Sequence, residues 1–234
     1  MAESRVGEIY APLKEMAVNY HLKPGEKINE AALAKSLETS RTPLREALNR
    51  LVAERFFEFQ SGKGFYCREL DTKTVFELYE TREIIEEASV RRACERGSDA
   101  AIAKLKEFLL TKGMDYSGLT VGQSTQLDET FHVSIALLTG NDELVRQLQH
   151  LNERIRFIRW IDLSTRVLKT KGEHLKIMRA IEARDAEKAT AAMRVHIEVR
   201  MDRIVAIVKE GFSNIYVKGP QELQETLIEV HQEP

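Results

Sequence analysis

The feature that most constrains the fold is a change of period near residue 56. Up to Leu51, apolar residues recur at helical spacing in three short blocks. Then FFEFQ (56–60) alternates as a strand does, and Ser61, Gly62, Lys63 and Gly64 spell a tight turn. FYCREL (65–70) reads as the returning strand. The first helix is expected from Val6 to Tyr20, with Val6, Ile9, Leu13, Met16 and Ala17 on one face. Lys23, Pro24 and Gly25 stop it. Asn29 is placed to cap a second helix that turns Ala32, Leu33 and Leu37 inward. After a break at Glu38 to Ser40, Ser40 or Thr42 caps a third. Pro43 fits its first turn, where a missing N–H costs nothing. Leu44, Ala47, Leu48 and Leu51 form its apolar stripe. Three helices and then a two-stranded hairpin is the order of a winged helix-turn-helix.

The third helix carries charge at its start. Arg41 and Arg45 lie one turn apart, off the apolar stripe. A recognition helix enters the major groove N-terminus first, so its early residues must reach base edges or phosphates. Arginine pairs bidentately with guanine, and Ser40 and Thr42 are placed to donate to phosphates beside the positive helix end. Arg50 lies about two turns further on, where reach is poorer. Lys63, at the hairpin tip, is placed to touch the DNA backbone or the minor groove. The six basic residues Arg41, Arg45, Arg50, Arg55, Lys63 and Arg68 are partly offset by Glu46, Glu54, Glu58 and the adjoining Glu69. The signal therefore depends on where these side chains point. A basic helix alone would be an ordinary solvated helix. Cap, proline, arginine pair and glycine-flanked wing, in this order, favour DNA binding.

Beyond Asp71 the pattern is helical, with segments predicted at roughly 74–96, 99–112, 120–139, 142–163, 172–183 and 186–210. Val75, Leu78, Tyr79, Ile85 and Ala88 are expected to point inward on the first. Gly97, Gly140 with Asn141, Gly172, Asp185 and Gly211 punctuate the run. The expected fold is mainly α: a winged helix-turn-helix over 1–70, an all-α antiparallel helical bundle over 74–211, and a tail at 212–234 with room for a short helix at Pro220 to Val230.

With 234 residues the chain suffices for two modest domains. No apolar run is long enough to span a membrane, and MAESRVGEIY lacks the pattern of a secretory signal. Cys67 and Cys94 are too few for a disulfide framework, so a cytoplasmic protein with reduced thiols is expected. The net charge of -2 excludes a polycation but not a local basic face.

A second constellation lies far downstream. Asp128 and His132 are one turn apart on a stripe shared with Ile135. His174 falls in line with Met178 and Ile181, and His196 with Ala189, Ala192 and Val199. Four polar groups thus sit on faces that should form the bundle core. Buried without partners, each would cost several kcal/mol. A shared metal ion satisfies all four at once, since neutral imidazole ligates Zn, Ni, Cu and Fe and the carboxylate adds charge. Periodicity alone leaves open that they are ordinary hydrogen-bonded core residues. His21, His150 and His231 fit no such pattern.

These blocks resemble a known family. NEAALAKSLETSRTPLREALNRL with the wing QSGKGFYC is similar to the N-terminal domain of GntR-type bacterial transcription regulators. LYETREIIEE, DETFH, TGNDEL, EHLKIMRAIEARDAEKA and MRVH resemble the all-helical FCD effector domain of the FadR-like branch. The resemblance implies operator contacts at Arg41, Arg45 and Arg50, with the wing tip Lys63 and Gly64 in the minor groove. It implies a divalent metal, zinc first and nickel, manganese or iron after it, on Asp128, His132, His174 and His196. It further implies an effector cavity faced by Arg82, with Asn152 and Arg156 on another lining helix. Glu38 and Arg55 depart from the family pattern, each standing where a glycine is common.

The resulting expectation is a regulator, not an enzyme: a homodimer on a palindromic double-stranded operator, tuned by a small carboxylate at the metal. The resemblance favours a repressor; nothing in the residues decides it. A metalloenzyme is the competing class, although HExxH is absent and no general base stands beside the ligands. A DNA-binding protein with a purely structural metal is the third.

Overall fold

The structure, a computed structural model, describes residues 5–113, 116–198, 201–218, 222 and 225. It divides into two compact units, Met1–Asp71 with Phe212–Gln221, and Thr72–Gly211 with Glu222–Pro234.

The first unit contains α1 (Arg5–Val18), α2 (Glu30–Ser36), α3 (Arg41–Ala53), β1 (Phe57–Gln60) and β2 (Gly64–Cys67). α1 buries Ile9, Leu13 and Ala17 against α3, whose Leu44, Ala47, Leu48 and Leu51 are all buried. Each such leucine or isoleucine contributes about 1.5–3 kcal/mol through removal from water. Asn29 caps α2, its Oδ1 accepting from the Ala32 N–H at 3.0 Å. Ser40 occupies the N-cap position of α3 with extended backbone, but its hydroxyl makes no capping bond. Glu38 (φ 48°) and Arg55 (φ 61°) both adopt the left-handed backbone. These are the two positions that depart from the family's glycine, and for an L residue the conformation costs about 1–2 kcal/mol.

The wing pairs antiparallel from Phe57↔Cys67 to Gln60↔Gly64, with Gly62 and Gly64 at positive φ in the turn. A feature unforeseen in the sequence pins it down. Lys27 bridges to Tyr66, the Ile28 N–H donates to the Phe65 carbonyl at 2.8 Å, and the Cys67 N–H donates to the Glu26 carbonyl at 2.9 Å. The approach to α2 thus lies alongside the returning strand.

The second unit contains α4 (Thr72–Arg96), α5 (Asp99–Thr111), α6 (Val121–Leu137), α7 (Asp142–Glu182), α8 (Ala186–Ile197) and most of α9 (Met201–Ser213). Side-chain caps start several of these helices: Ser98 on α5, Thr120 in a reciprocal capping box with Gln123 on α6, Asn141 on α7 and Asp185 on α8. The core joins Val90, Leu109, Phe131, Ile135, Ile177, Ile181 and Met193.

Four expectations need correction. On α2, Ala32 is exposed and Leu37 half-buried, while Leu33 and Ala34 are buried. Gly172 does not interrupt the chain: α7 runs unbroken for 41 residues. A helical glycine costs only about 1 kcal/mol relative to alanine, which buried Ile177, Met178 and Ile181 outweigh. The segment expected as one helix over 186–210 is two, because Glu198 leaves the helix at ψ 117° and α9 begins at Met201. On α4, Ile85 and Ala88 are only half-buried, while Arg82, Glu86 and Ser89 are buried.

Phe212 and the π-helical turn Asn214–Lys218 belong with the first unit rather than forming a separate tail. Asn214 and Ile215 are buried there, and Lys23 Nζ lies 5.0 Å from the Tyr216 ring centroid. The short helix expected at Pro220 to Val230 falls outside the described residues, apart from Glu222 and Glu225. Among the described residues, no helix is long and apolar enough to cross a membrane.

Candidate metal centre and DNA-facing helix

Three helices bring the downstream constellation together. Asp128 and His132 come from α6, His174 from α7 and His196 from the end of α8, and their donor atoms all lie within 4.8 Å of one another. The Nε2 atom of His196 is 3.1 Å from that of His132 and 3.2 Å from that of His174. His174 Nε2 is 3.2 Å from Asp128 Oδ1.

The opposite edges of two rings reveal what the centre wants. His132 Nδ1 is hydrogen-bonded to Glu86 Oε2, and His196 Nδ1 to Glu173 Oε2 at 2.9 Å. Ionised carboxylates only accept, so each Nδ1 carries a proton, and a neutral ring so held turns its Nε2 lone pair to the centre. Lone pairs facing at 3.1 Å repel unless a cation or proton lies between them. The donor set, three imidazole nitrogens and one carboxylate oxygen, fits a divalent transition metal. His174 differs, for its Nδ1 is buried without a hydrogen-bond partner.

Charge states agree with a ligand role. Burial lowers the His132 pKa to about 3 against the pull of Glu86, so the ring is neutral. Burial also lowers His174, although Asp128 opposes it. For Asp128 burial pushes upward, but Arg159 and His174 outweigh it and hold the carboxyl well below its usual value. Glu86 behaves alike: His132 and Arg82 outweigh burial and bring it to about 2.

Arg82 lines a small cavity of about 50 Å³ together with Tyr79, Asp128, Arg159, Asp162 and His196. Its Nε donates to Glu86 Oε1 at 2.7 Å, while its Nη2 is buried without a partner. Asn152 is buried one step behind this wall, its Oδ1 accepting from Arg159 at 3.2 Å. Arg156 does not line this cavity. Its guanidinium pairs with Glu129 at 3.1 Å beside a separate groove that it shares with Gln126 and Asn152.

Arg159 is the residue that sequence reasoning missed. It is buried and donates to Asp128, to Glu129 and to Asn152. The signal was its place seven residues after Asn152, which returns a helix to nearly the same face. Glu86 and Glu173 were also missed; one lies a turn beyond Arg82, the other immediately before His174.

In the other unit, Ser40, Arg41, Thr42, Arg45 and Arg50 are exposed on α3, as is Lys63 at the wing tip, while Gly64 is half-buried. Arg45 is steadied by Glu30 at 3.5 Å and by the Phe65 ring, and Arg50 stacks over Tyr10 at 4.5 Å. Arg68 leaves the basic tally: it is buried over Tyr20 and Phe56.

Comparison with known proteins follows the same division. Residues 5–67 match the bacterial regulatory proteins of the gntR family, and residues 77–199 match the FCD domain. The chain is 43% identical over 205 residues to the Nta operon transcriptional regulator of Aminobacter aminovorans, covering 87% of this chain and 96% of that protein. It is 27% identical over 236 residues to the Uxu operon transcriptional regulator of Escherichia coli, covering 91% and 90%. Among solved structures, E. coli McbR/YncC has a TM-score of 0.64 at 21% identity, covering 90% of this chain and 99% of that one. Placed by its helix-turn-helix, its wing and its helical second unit, the chain belongs to the GntR family of transcriptional regulators, with an FCD domain following the DNA-binding domain.

Proposed function

We propose that the protein is a cytoplasmic, dimeric repressor. Its domains are a DNA-binding one over 1–70 and an effector- and metal-binding one over 74–211. Its grip on a palindromic operator is set by a small carboxylate bound beside a zinc ion. The observation that carries this reading is the meeting of three Nε2 atoms, two of them on rings whose Nδ1 edges are hydrogen-bonded to Glu86 and Glu173. Asp128, His132, His174 and His196 would hold the ion. An ion bound there supplies an open coordination position for an anionic oxygen. Arg82 then offers its unpartnered Nη2 to the same anion, and Arg159 shares its charge between Asp128 and the cavity. Asn152 orients Arg159, and Arg156 acts from the neighbouring groove.

Arg41 and Arg45 read base edges, Ser40 and Thr42 hold phosphates, and Arg50, Lys63 and Gly64 complete the DNA contact. A metalloenzyme is disfavoured because Glu86 and Glu173, the carboxylates behind the ligands, are committed to imidazole N–H groups. A purely structural metal leaves the buried Arg82 Nη2 unexplained. The test is a thermal-shift screen of small carboxylates on the zinc-loaded protein, followed by fluorescence anisotropy on operator DNA. The reading expects hits that release DNA and that lose their effect in Arg82→Ala. Hits that leave operator affinity unchanged would refute the effector role.

A further inference from the structure

We propose that Phe59, on β1 of the wing, is a DNA contact that packs its ring on a deoxyribose of the bound duplex. The inference rests on the reading of α3 and the wing as the DNA-facing surface, and adds an apolar contact to its polar ones. Phe59 is 47% exposed, the one large apolar side chain so exposed among the described residues of 5–71. A single exposed phenylalanine is ordinary by itself. Its place between Arg45 and Lys63 is not.

Phe59 stands directly opposite Phe65, one pair before the Gln60↔Gly64 pair that closes into the turn bearing Lys63. Cross-strand partners share a face of a hairpin, and so do residues two apart. Phe57, Phe59, Phe65 and Cys67 therefore lie on one face. Phe57, Phe65 and Cys67 are buried. The apolar side of the wing thus runs outward from the core and reaches solvent at Phe59. The Phe59 ring lies 4.9 Å from that of Phe65, tilted by 53°. The Arg45 guanidinium lies over the same Phe65 ring, 5.7 Å from its centroid. Phe59 of the wing and Arg45 of α3 thus meet on one buried ring. Arg45 and Lys63 are both exposed, so the surface passes from cation to apolar ring to cation.

With Arg45 in the major groove and Lys63 at the minor groove, the strand between the grooves runs past Phe59. Deoxyribose is the apolar link of that strand, since its edges carry C–H groups. Covering the exposed ring with a sugar removes apolar surface from water and releases no counterions. Such a contact carries neither sequence information nor salt dependence. That separates it from Arg41 and Arg45, which select sequence, and from Lys63, whose contribution falls with salt. Sheltering Phe65 uses only one side of Phe59, and the exposed remainder is what DNA covers.

The test is fluorescence anisotropy with the full-length protein across a range of salt, with a thermal melt of each variant. Two duplexes serve as probes: one selected from a random pool on the wild type, and its scrambled form. Phe59→Gln keeps the length needed to shelter Phe65 but ends in a polar group. It binds both duplexes about fivefold more weakly, the effect of leaving roughly half a phenylalanine ring unburied, with the wild-type salt slope. Phe59→Leu, still apolar, stays within about twofold of the wild type. A Phe59→Gln protein that binds both duplexes like the wild type overturns the proposal, as does a Phe59→Leu protein as weak as Phe59→Gln. A flattened salt slope in Phe59→Gln means a displaced wing that has lost Lys63, and overturns it too. A loss confined to the selected duplex makes Phe59 a reader of bases and refutes the sugar contact. Arg41→Ala, Arg45→Ala and Lys63→Ala all binding like the wild type would refute the DNA-facing surface itself, and the inference falls with it.

Discussion

His132 and His196 lie with ring planes 14° apart and Nε2 atoms 3.1 Å from one another, each ring held from behind by a carboxylate. Two hydrogen-bond acceptors this close, His132 buried and His196 part-buried, repel each other, and a cation shared between them relieves that repulsion.

Replacing His174 or His196 with Ala should therefore lower metal content and melting temperature together. A native-state ligand at a hundred times its Kd adds about 2.7 kcal/mol, and the stripped wild type should regain that order of stability when zinc or nickel is restored. Elemental analysis alongside a thermal melt measures both. Protein without metal, and without any shift from a divalent ion, would sink the centre.

Glu86→Gln tests the support behind the ligands. The amide keeps the shape but loses the charge that fixes the His132 tautomer, and metal affinity should fall roughly 10- to 100-fold. Competition against a calibrated chelator reads this. Unchanged affinity would reduce Glu86 to a partner of Arg82 alone.

Acid should destabilise the metal-free protein early. His132 has its folded pKa lowered to about 3, while in the unfolded chain it titrates near its usual 6.5. The unfolded state therefore binds the extra proton first, and stability is lost as pH falls from about 6.5 towards 3. Between pH 7 and pH 5 that group alone costs about 2 kcal/mol, and His174, lowered in the same direction, adds to it. Urea titrations of stripped protein at the two pH values check the slope; equal midpoints would show that His132 is not buried neutral.

On the DNA side, Arg41→Ala and Arg45→Ala should each cost about 1–3 kcal/mol on operator if they read bases bidentately. Lys63→Ala should weaken operator and scrambled DNA alike and flatten the salt dependence. Anisotropy at two salt concentrations separates the cases. Both arginine variants binding like the wild type would move the recognition surface off α3.

Local signals made much of this architecture legible. The cap at Asn29, the break at Gly140 and Asn141, the glycine-flanked wing and the alternation around it mark real element boundaries because each satisfies specific backbone groups. The imidazoles and Asp128 were visible because polar residues on apolar stripes ask for partners. Arg159 stayed hidden because a long basic side chain usually reaches solvent, and only the fold shows it turned onto Asp128. Gly172 misled for the opposite reason: helical propensity is a weak local preference, and packing further along α7 overrides it.

The length of α7 has a consequence of its own. One rod of 41 residues, about 60 Å long, carries Asn152, Arg159, Asp162, Glu173 and His174. Inserting or deleting a single residue between Arg159 and His174 turns everything beyond it by about 100° and slides it about 1.5 Å. His174 would leave its neighbours while Arg159 kept its own. Residue count along this stretch is therefore as strict a requirement as residue identity. The exposed connection at Ser117 and Gly118 lies outside that ruler and is where the chain has room to grow or shrink, whereas the turn at Ala183–Asp185 is held by Arg184 on the Cys94 and Gly97 carbonyls and by the Asp185 cap.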